Sequence, residues 1–533
     1  MNEDLQIKDE EKITSSESKD WLDTAIFYEI YPQSFSDSNG DGIGDFDGII
    51  NKLDYIRNLG CNAIWINPCF ESPFKDAGYD ISDYYKTAPR YGSNSDLVRL
   101  FEQAHSRGMH VILDLVPGHT SIQHPWFKKS MEAEENEFTN RYVWTDSVWE
   151  EPVGMSSIKG ISDRDGVCAV NFFSHQPALN YGFAKIDRPW QQSPNAPGPQ
   201  ATLKEMLKVM SFWLEAGADG FRVDMAGSLV KNDPDSKGTI ALWNKVRKFL
   251  DENFPDARLI SEWGDPEKSL TGGFHMDFLL HFGPSHYNDL FRCDKPFFSS
   301  KGNGNCYDFV KKYIQNYEKA NGSGLICIPS GNHDMDRLAR YIHDDELKIA
   351  FAFLLSMPGC PFIYYGDEIG MNYVEGLVSV EGGYGRTGSR SPMQWDNSKN
   401  AGFSSAEKEN LYIQQDPSPD RPTVQAQAEN PDSLYNEVKK IIGIRRNTKA
   451  LQNKSKITFL FAVKNKYPLA YIRGSGKDSV VVLINPSQES ASFPCKIKLG
   501  QALYQFGGKV IQGGNMISVP GKTAAFFTVE EKK

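Results

Sequence analysis

From about residue 21 the chain alternates two patterns: short, nearly continuous apolar runs, and longer segments whose apolar positions recur every three or four residues. The runs fall at 27–35, 63–68, 110–117, 219–225, 258–263, 276–282, 325–329 and 360–365. Runs of this length without polar alternation predict strands buried on both faces, which is the signature of a parallel sheet covered by helices. Between them, Leu203, Met206, Leu207, Met210 and Trp213 mark one face of a helix ending near Gly217. Residues 96–107 read likewise, with Ser95 as N-cap and Gly108 just past the end. Eight strand–helix repeats predict closure into a (β/α)₈ TIM barrel.

Two stretches break the rhythm. Residues 119–199 follow the third strand and are aromatic and turn-rich, ending in the Pro-rich 193–200, so an inserted domain is expected there. The barrel then occupies 21–118 and 200–447. After residue 447 the pattern becomes short alternating strands, such as 469–473, 479–485 and 524–529, predicting a C-terminal antiparallel β-sandwich over 448–533. Residues 1–20 are rich in Glu, Lys and Ser and read as a flexible tail.

Composition narrows the function. The 533 residues carry 58 Lys+Arg against 69 Asp+Glu, a net charge of −11, which argues against a nucleic-acid partner. No apolar run is long enough to span a bilayer, so no membrane association is expected. The eight cysteines are scattered without a C-x-x-C pair, which argues against zinc or iron–sulfur sites and favours free thiols in the cytoplasm. The charged start lacks a signal segment; a secreted or cell-surface location is the alternative if a leader has been removed.

Ligands of a (β/α)₈ barrel bind at the C-terminal ends of its strands. The polar residues there are Asp114 and His119 after the third strand, Arg222 and Asp224 on the fourth, Glu262 on the fifth, and His333 and Asp334 after the seventh. Several carboxylates around one mouth with an Arg and two His are costly to hold together unless charge develops between them. Cleavage of a glycosidic bond through an oxocarbenium-like transition state develops such charge.

These residues lie in Asp114-Leu-Val-Pro-Gly-His119, Gly220-Phe-Arg-Val-Asp224, Ser261-Glu262-Trp263 and Gly331-Asn-His-Asp334. The four segments, in this order, resemble the barrel motifs of the α-amylase family of glycoside hydrolases (family 13). Gly78-Tyr79-Asp80, Gln176-Pro-Ala-Leu-Asn180, Tyr365-Gly-Asp-Glu368 and Arg390-Ser-Pro-Met-Gln-Trp395 extend the resemblance over most of 21–403. It implies Asp224 as nucleophile, Glu262 as general acid and then base, and Asp334 as the group gripping sugar hydroxyls. Arg222 would keep Asp224 ionised, His119 and His333 would bond hydroxyls, Tyr79 would stack on the sugar, and Asp114 would support the site from behind. Retention of the α anomer places the two reacting carboxyls about 5–5.5 Å apart.

The loop Asp37-Ser-Asn39-Gly-Asp41-Gly-Ile43-Gly-Asp45 spaces oxygen ligands between small residues. Similar loops in the oligo-1,6-glucosidase branch bind Ca²⁺, which implies a structural calcium held by Asp37, Asn39, Asp41, the Ile43 carbonyl and Asp45. No organic cofactor is implied; Gly382-Gly-Tyr-Gly385 lacks a strand–helix context and reads as a loop near the substrate mouth.

Departures from the family narrow the choice. Gly118 stands where many α-amylases carry an Asn that binds a calcium between barrel and insertion, which argues against that second site. Ala178 replaces an Asp of the branch motif, and Trp263 is bulkier than the residue expected after the acid. In exo-acting relatives the Asp of Gly-Tyr-Asp and an Arg of the last barrel loop clamp the non-reducing end; Asp80 and Arg390 match, with Arg386 as a second option. The resemblance thus implies an exo-acting α-glucosidase on malto- or isomalto-oligosaccharides. The alternatives are an α-amylase or maltogenic enzyme, and a trehalose synthase or transglycosylase. Transporter-subunit relatives that only bind lose catalytic carboxylates and carry a membrane helix, whereas Asp224, Glu262 and Asp334 are all present here.

Overall fold

The computed structural model describes residues 20–530. The tail expected over 1–20 lies outside them except for Asp20, which accepts from the backbone N–H of Leu22 and pairs with Arg258 at 3.0 Å. Eight parallel strands follow in order: β1 Phe27–Ile30, β2 Ala63–Ile66, β3 His110–Leu115, β4 Gly220–Val223, β5 Arg258–Ser261, β6 Met276–Phe278, β7 Leu325–Cys327 and β8 Phe362–Tyr364. From β1 to β7 each pairs with the next in sequence, and β8 pairs back with β1, Phe27 opposite Phe362. A bridge between Pro329 and Phe362, with Ser330 N–H donating to the Phe362 carbonyl at 2.9 Å, closes the barrel.

Every predicted run holds a strand, but the strands are shorter. In the first run the chain leaves the sheet after Ile30 and Pro32 opens a helical turn, Pro32–Phe35, because proline has no N–H to give a neighbouring strand and its φ suits a first helical turn. Gly220 opens β4 at φ 149°, and a Cβ there would sit 2.0 Å from the Arg258 carbonyl oxygen, so only glycine lets β4 lie this close to β5.

Eight helices cover the barrel: α1 Phe46–Leu59, α2 Asn94–Ser106, α3 Pro197–Glu215, α4 Lys237–Asn253, α5 Pro266–Thr271, α6 Tyr307–Ala320, α7 Asp345–Leu354 and α8 Leu434–Asn447. The cap of α2 is Ser93, not Ser95: Ser93 and Asp96 form a reciprocal capping box, and Gly108 turns left-handed (φ 70°) beyond the end. On α3, Leu203, Met206, Met210 and Trp213 are buried as their spacing predicts.

The segment between β3 and α3 holds a small hairpin, Ser157–Lys159 against Val167–Ala169, and isolated bridges, one joining His119 to Ala178. Beyond α8, five antiparallel strands (Ile457–Phe461, Leu469–Arg473, Val480–Asn485, Thr523–Val529, Leu499–Phe506 in spatial order) face a three-stranded sheet. Val481, Leu483, Phe493, Ile517 and Ala525 pack between the two as a dry core. Among the described residues no helix is long and apolar enough to cross a membrane, and all eight cysteines are free.

Candidate active site

The reacting end of the barrel is organised by one guanidinium. Arg222 on β4 is 1% exposed. Its Nη1 donates to both oxygens of Asp114 (2.8 and 3.1 Å) and to Asp224 Oδ1 (3.2 Å), while its Nη2 lies 2.9 Å from Glu262 Oε2. The carboxylates come from successive strand ends: Asp224 N–H donates to the Leu115 carbonyl and Glu262 N–H to that of Val223. Met225, the next residue, is left-handed (φ 45°) and turns its N–H onto Glu262 Oε2 at 3.1 Å. A non-glycine residue in that region is strained, and such strain gathers at functional sites.

Arg222 therefore does not serve Asp224 alone, as the resemblance implied. Burial, followed by the charge of Glu262, raises the Asp224 carboxyl well above the ordinary range against the pull of Arg222. Glu262 Oε2 takes both the Arg222 Nη2 contact and the Met225 N–H. Behind the pair, burial lifts Asp114 to about 6, with Arg222 opposing.

A second chain of contacts runs through Tyr79. Its hydroxyl lies 2.7 Å from His333 Nε2 and donates to Asp114 Oδ2 at 3.0 Å, and its ring stacks on His333 with centroids 5.3 Å apart. On the far side, His333 Nδ1 meets Glu29 Oε1 at 2.9 Å and Asn67 Nδ2 at 3.0 Å. Burial keeps His333 neutral, down to about 3, and pushes Glu29 well above the ordinary range. Sequence reasoning missed Glu29 and Asn67; the signal for Glu29 was a lone charge inside an apolar run.

Asp334 receives Arg386 Nη1 and Arg390 Nη2 on the same oxygen, each at 2.8 Å. Burial opposes its ionisation and the neighbouring His333 is itself neutral, so the two guanidiniums hold the carboxyl far below its ordinary range. Both arginine options for the clamp thus converge here. Their expected acidic partner is corrected. Asp80 is fully buried and its carboxylate accepts from Ser72 Oγ and from the N–H groups of Lys75 and Asp76, all at 3.0 Å, so it fastens its own loop. The carboxylate facing Arg386 is Asp76, 3.5 Å from Nη2. Its Oδ2 accepts from Gln176 Nε2 at 2.8 Å, and its buried Oδ1 has no hydrogen-bond partner.

His119 is also differently employed. Its Nε2 donates to the Tyr79 carbonyl (3.1 Å) and its Nδ1 accepts from Asn171 Nδ2 (3.2 Å), so both ring nitrogens are engaged by protein and the residue steadies Tyr79. Asn171 fills the space beside Gly118 and takes a hydrogen bond from Lys231 Nζ at 3.3 Å. A lysine ammonium, lowered to about 8 by burial, thereby supplies positive charge between barrel and insertion. Trp263 lies against Gly227, where a Cβ would come 2.5 Å from its indole nitrogen. The Gly382–Gly385 loop borders the site: the Gly382 carbonyl accepts from Arg386, and Tyr384 stands exposed 5.8 Å from the Phe173 ring.

In the Asp37–Asp45 loop the side chains are turned inward. Asp37 accepts from the N–H groups of Asn39, Gly40 and Gly42, Asn39 from Asp41, and Asp41 from Ile43. Asp45 accepts from Ser38 and Gly48, capping α1. Among the described residues no three His, Cys, Asp or Glu side chains gather as a metal-binding group.

Comparison with known proteins bears on the whole arrangement. The profile of the family described as Alpha amylase, catalytic domain matches residues 29–454. The chain belongs to the α-amylase family. It is 32% identical to the trehalose synthase/amylase TreS of Mycobacterium tuberculosis, an alignment covering 90% of this chain and 83% of that one. To the oligo-1,6-glucosidase of Parageobacillus thermoglucosidasius it is 30% identical, over 89% and 92%. Among solved structures it superposes on an isomaltulose synthase mutant from Erwinia rhapontici NX5, bound to its natural substrate sucrose, with TM-score 0.81 and 25% identity over 97% of this chain and all of that one. This member of the α-amylase family is thus a glycoside hydrolase with the barrel and C-terminal sheets of its relatives.

Proposed function

We propose that the enzyme is an exo-acting α-glucosidase that removes glucose from short malto- or isomalto-oligosaccharides by double displacement with retention. The observation that carries this reading is a run of contacts at the inner end of the site. Asp76, Arg386, Asp334 and Arg390 form a continuous acid–base fence, and Asp76 Oδ1 is left without a hydrogen bond. In this reading such a fence takes the hydroxyls of a terminal sugar and stops a chain from continuing past it.

In this reading Asp224 attacks the anomeric carbon and Glu262 protonates the leaving oxygen, then activates water. A hexose seated against Tyr79 draws Glu262 away from Arg222 and the Met225 amide towards the glycosidic oxygen. Arg222 is then left to Asp224 and Asp114, where its charge favours the ionised nucleophile. Asp334, fixed by two arginines, binds sugar hydroxyls as a permanent anion. The calcium reading rests on the donor chemistry of the Asp37–Asp45 loop: three carboxylates, an amide and a backbone carbonyl are hard oxygen ligands suited to Ca²⁺, and the ion would fasten the start of α1 away from the reacting groups.

Product analysis on maltotriose, isomaltose, starch and trehalose tests the reading: glucose from the short substrates with starch nearly untouched is expected. Rapid shortening of starch would overturn exo action. The 32% identity to a trehalose synthase/amylase favours one second reading, isomerisation of maltose through the same covalent intermediate. Accumulation of trehalose from maltose decides for it.

A further inference from the structure

The end of the barrel opposite the reacting carboxylates holds a cleft of about 170 Å³ lined by Thr24, Ile26, Arg445, Arg446, Gln452 and Asn453. It lies where β1 begins, where α8 ends and where the chain leaves for the C-terminal sheets. Arg445 is 2% exposed. Its Nη1 donates to the carbonyls of Leu355 and Met357 and its Nη2 to that of Gly359 and to Asn453 Oδ1, at 2.6–2.8 Å. All four terminal N–H bonds are thereby used, no described residue accepts from Nε, and the residue lines the cleft. Arg473, also fully buried, gives its donors only to the carbonyls of Ser356, Gln452, Ser455 and Lys456.

Neutral carbonyls satisfy hydrogen bonds but bring no net negative charge. Two guanidiniums are therefore buried here without a counter-charge, and burial, followed by the charge of Arg473, lowers the proton affinity of Arg445. Among the described residues no carboxylate pairs with Arg445, Arg446 or Arg473. The nearest acids along the chain are already engaged: Asp20 by Arg258 at 3.0 Å, and Asp23 by Lys454 at 2.6 Å. At the rim, Arg446 is exposed and makes one long hydrogen bond, 3.5 Å to the Gly60 carbonyl, so most of its fork is free. Thr24 and Gln452 add neutral donors.

We propose that this cleft binds a small inorganic anion, halide or phosphate, between Arg445 Nε and the Arg446 guanidinium, and that the anion fastens the barrel floor to the C-terminal sheets. The site is remote from the hydrolytic groups and independent of the substrate reading.

The test uses the full chain. Melting temperature is followed against sodium chloride and, separately, sodium phosphate, at ionic strength held constant with sodium HEPES. A saturable rise of about 2–3 °C is expected with one of them, and which one saturates identifies the halide or the oxyanion. Arg446→Gln and Thr24→Val should lose at least half of that rise while keeping wild-type turnover of an aryl α-glucoside. Crystals soaked in bromide or phosphate, matching the saturating anion, should show it beside Arg445 Nε. No saturable rise, an equal rise in both variants, or an anion bound only elsewhere overturns the proposal.

Discussion

Replacing Asp76 by Asn removes one charge from the fence and little else. Its Oδ2 is held by Gln176, while Oδ1 is buried, 3.5 Å from Arg386 and without a hydrogen bond. A sugar hydroxyl donating to that oxygen makes a charge-assisted bond worth about 1.5–3 kcal/mol. Its loss predicts a fall in kcat/KM of roughly 10- to 150-fold on an aryl α-glucoside, mostly through KM, because the grip exists before and during reaction. Burial pushes the Asp76 carboxyl up to about 6 against the pull of Arg386, so the wild-type grip should weaken as pH falls through 6. This part of the acidic limb should vanish in the variant. The sign for stability is opposite: a carboxyl raised on folding gives up stability as pH rises from the ordinary range through 6. At pH 7 the variant should therefore melt no lower than wild type, which separates lost grip from misfolding. A kcat/KM within threefold of wild type, with an unchanged acidic limb, would refute the fence.

Three further outcomes follow from the geometry. Asp224→Asn and Glu262→Gln should each lower turnover of an aryl α-glucoside by at least about 10³-fold without lowering the melting temperature; wild-type rates in either sink the assigned roles. Chelation with EGTA should lower the melting temperature and added Ca²⁺ restore it, with the response gone in Asp41→Ala; an identical response in that variant places the ion elsewhere. Glu368 is buried and accepts from Tyr28 (2.7 Å) and Tyr55 (2.5 Å), and burial raises it to about 7. Its contribution is intact at the acidic end and is lost as pH rises through 7, about 3 kcal/mol in all, so Glu368→Gln should flatten the decline of stability between pH 5 and 8.

The barrel was legible because strands buried on both faces leave unbroken apolar runs, and Asp224 and Glu262 because each follows such a run directly. Where a loop turns its side chains was not legible. Asp76 and Asp80 are four residues apart in one loop, and only the folded backbone shows that Asp80 turns onto its own N–H groups while Asp76 faces Arg386. Ser93 and Ser95 both satisfy cap preferences, and the reciprocal bond to Asp96 decides between them. Glu29 could be noticed as a misplaced charge, but its partner lies 304 residues away, a contact no local pattern encodes.

One guanidinium with three acidic clients has a consequence for how this catalytic end can change. Any single replacement among residues 114, 222, 224 and 262 redistributes hydrogen bonds at the other three, so effects measured one at a time will not sum. Variants that alter the chemistry are more accessible through paired exchanges, and drift at these four positions should be correlated rather than independent.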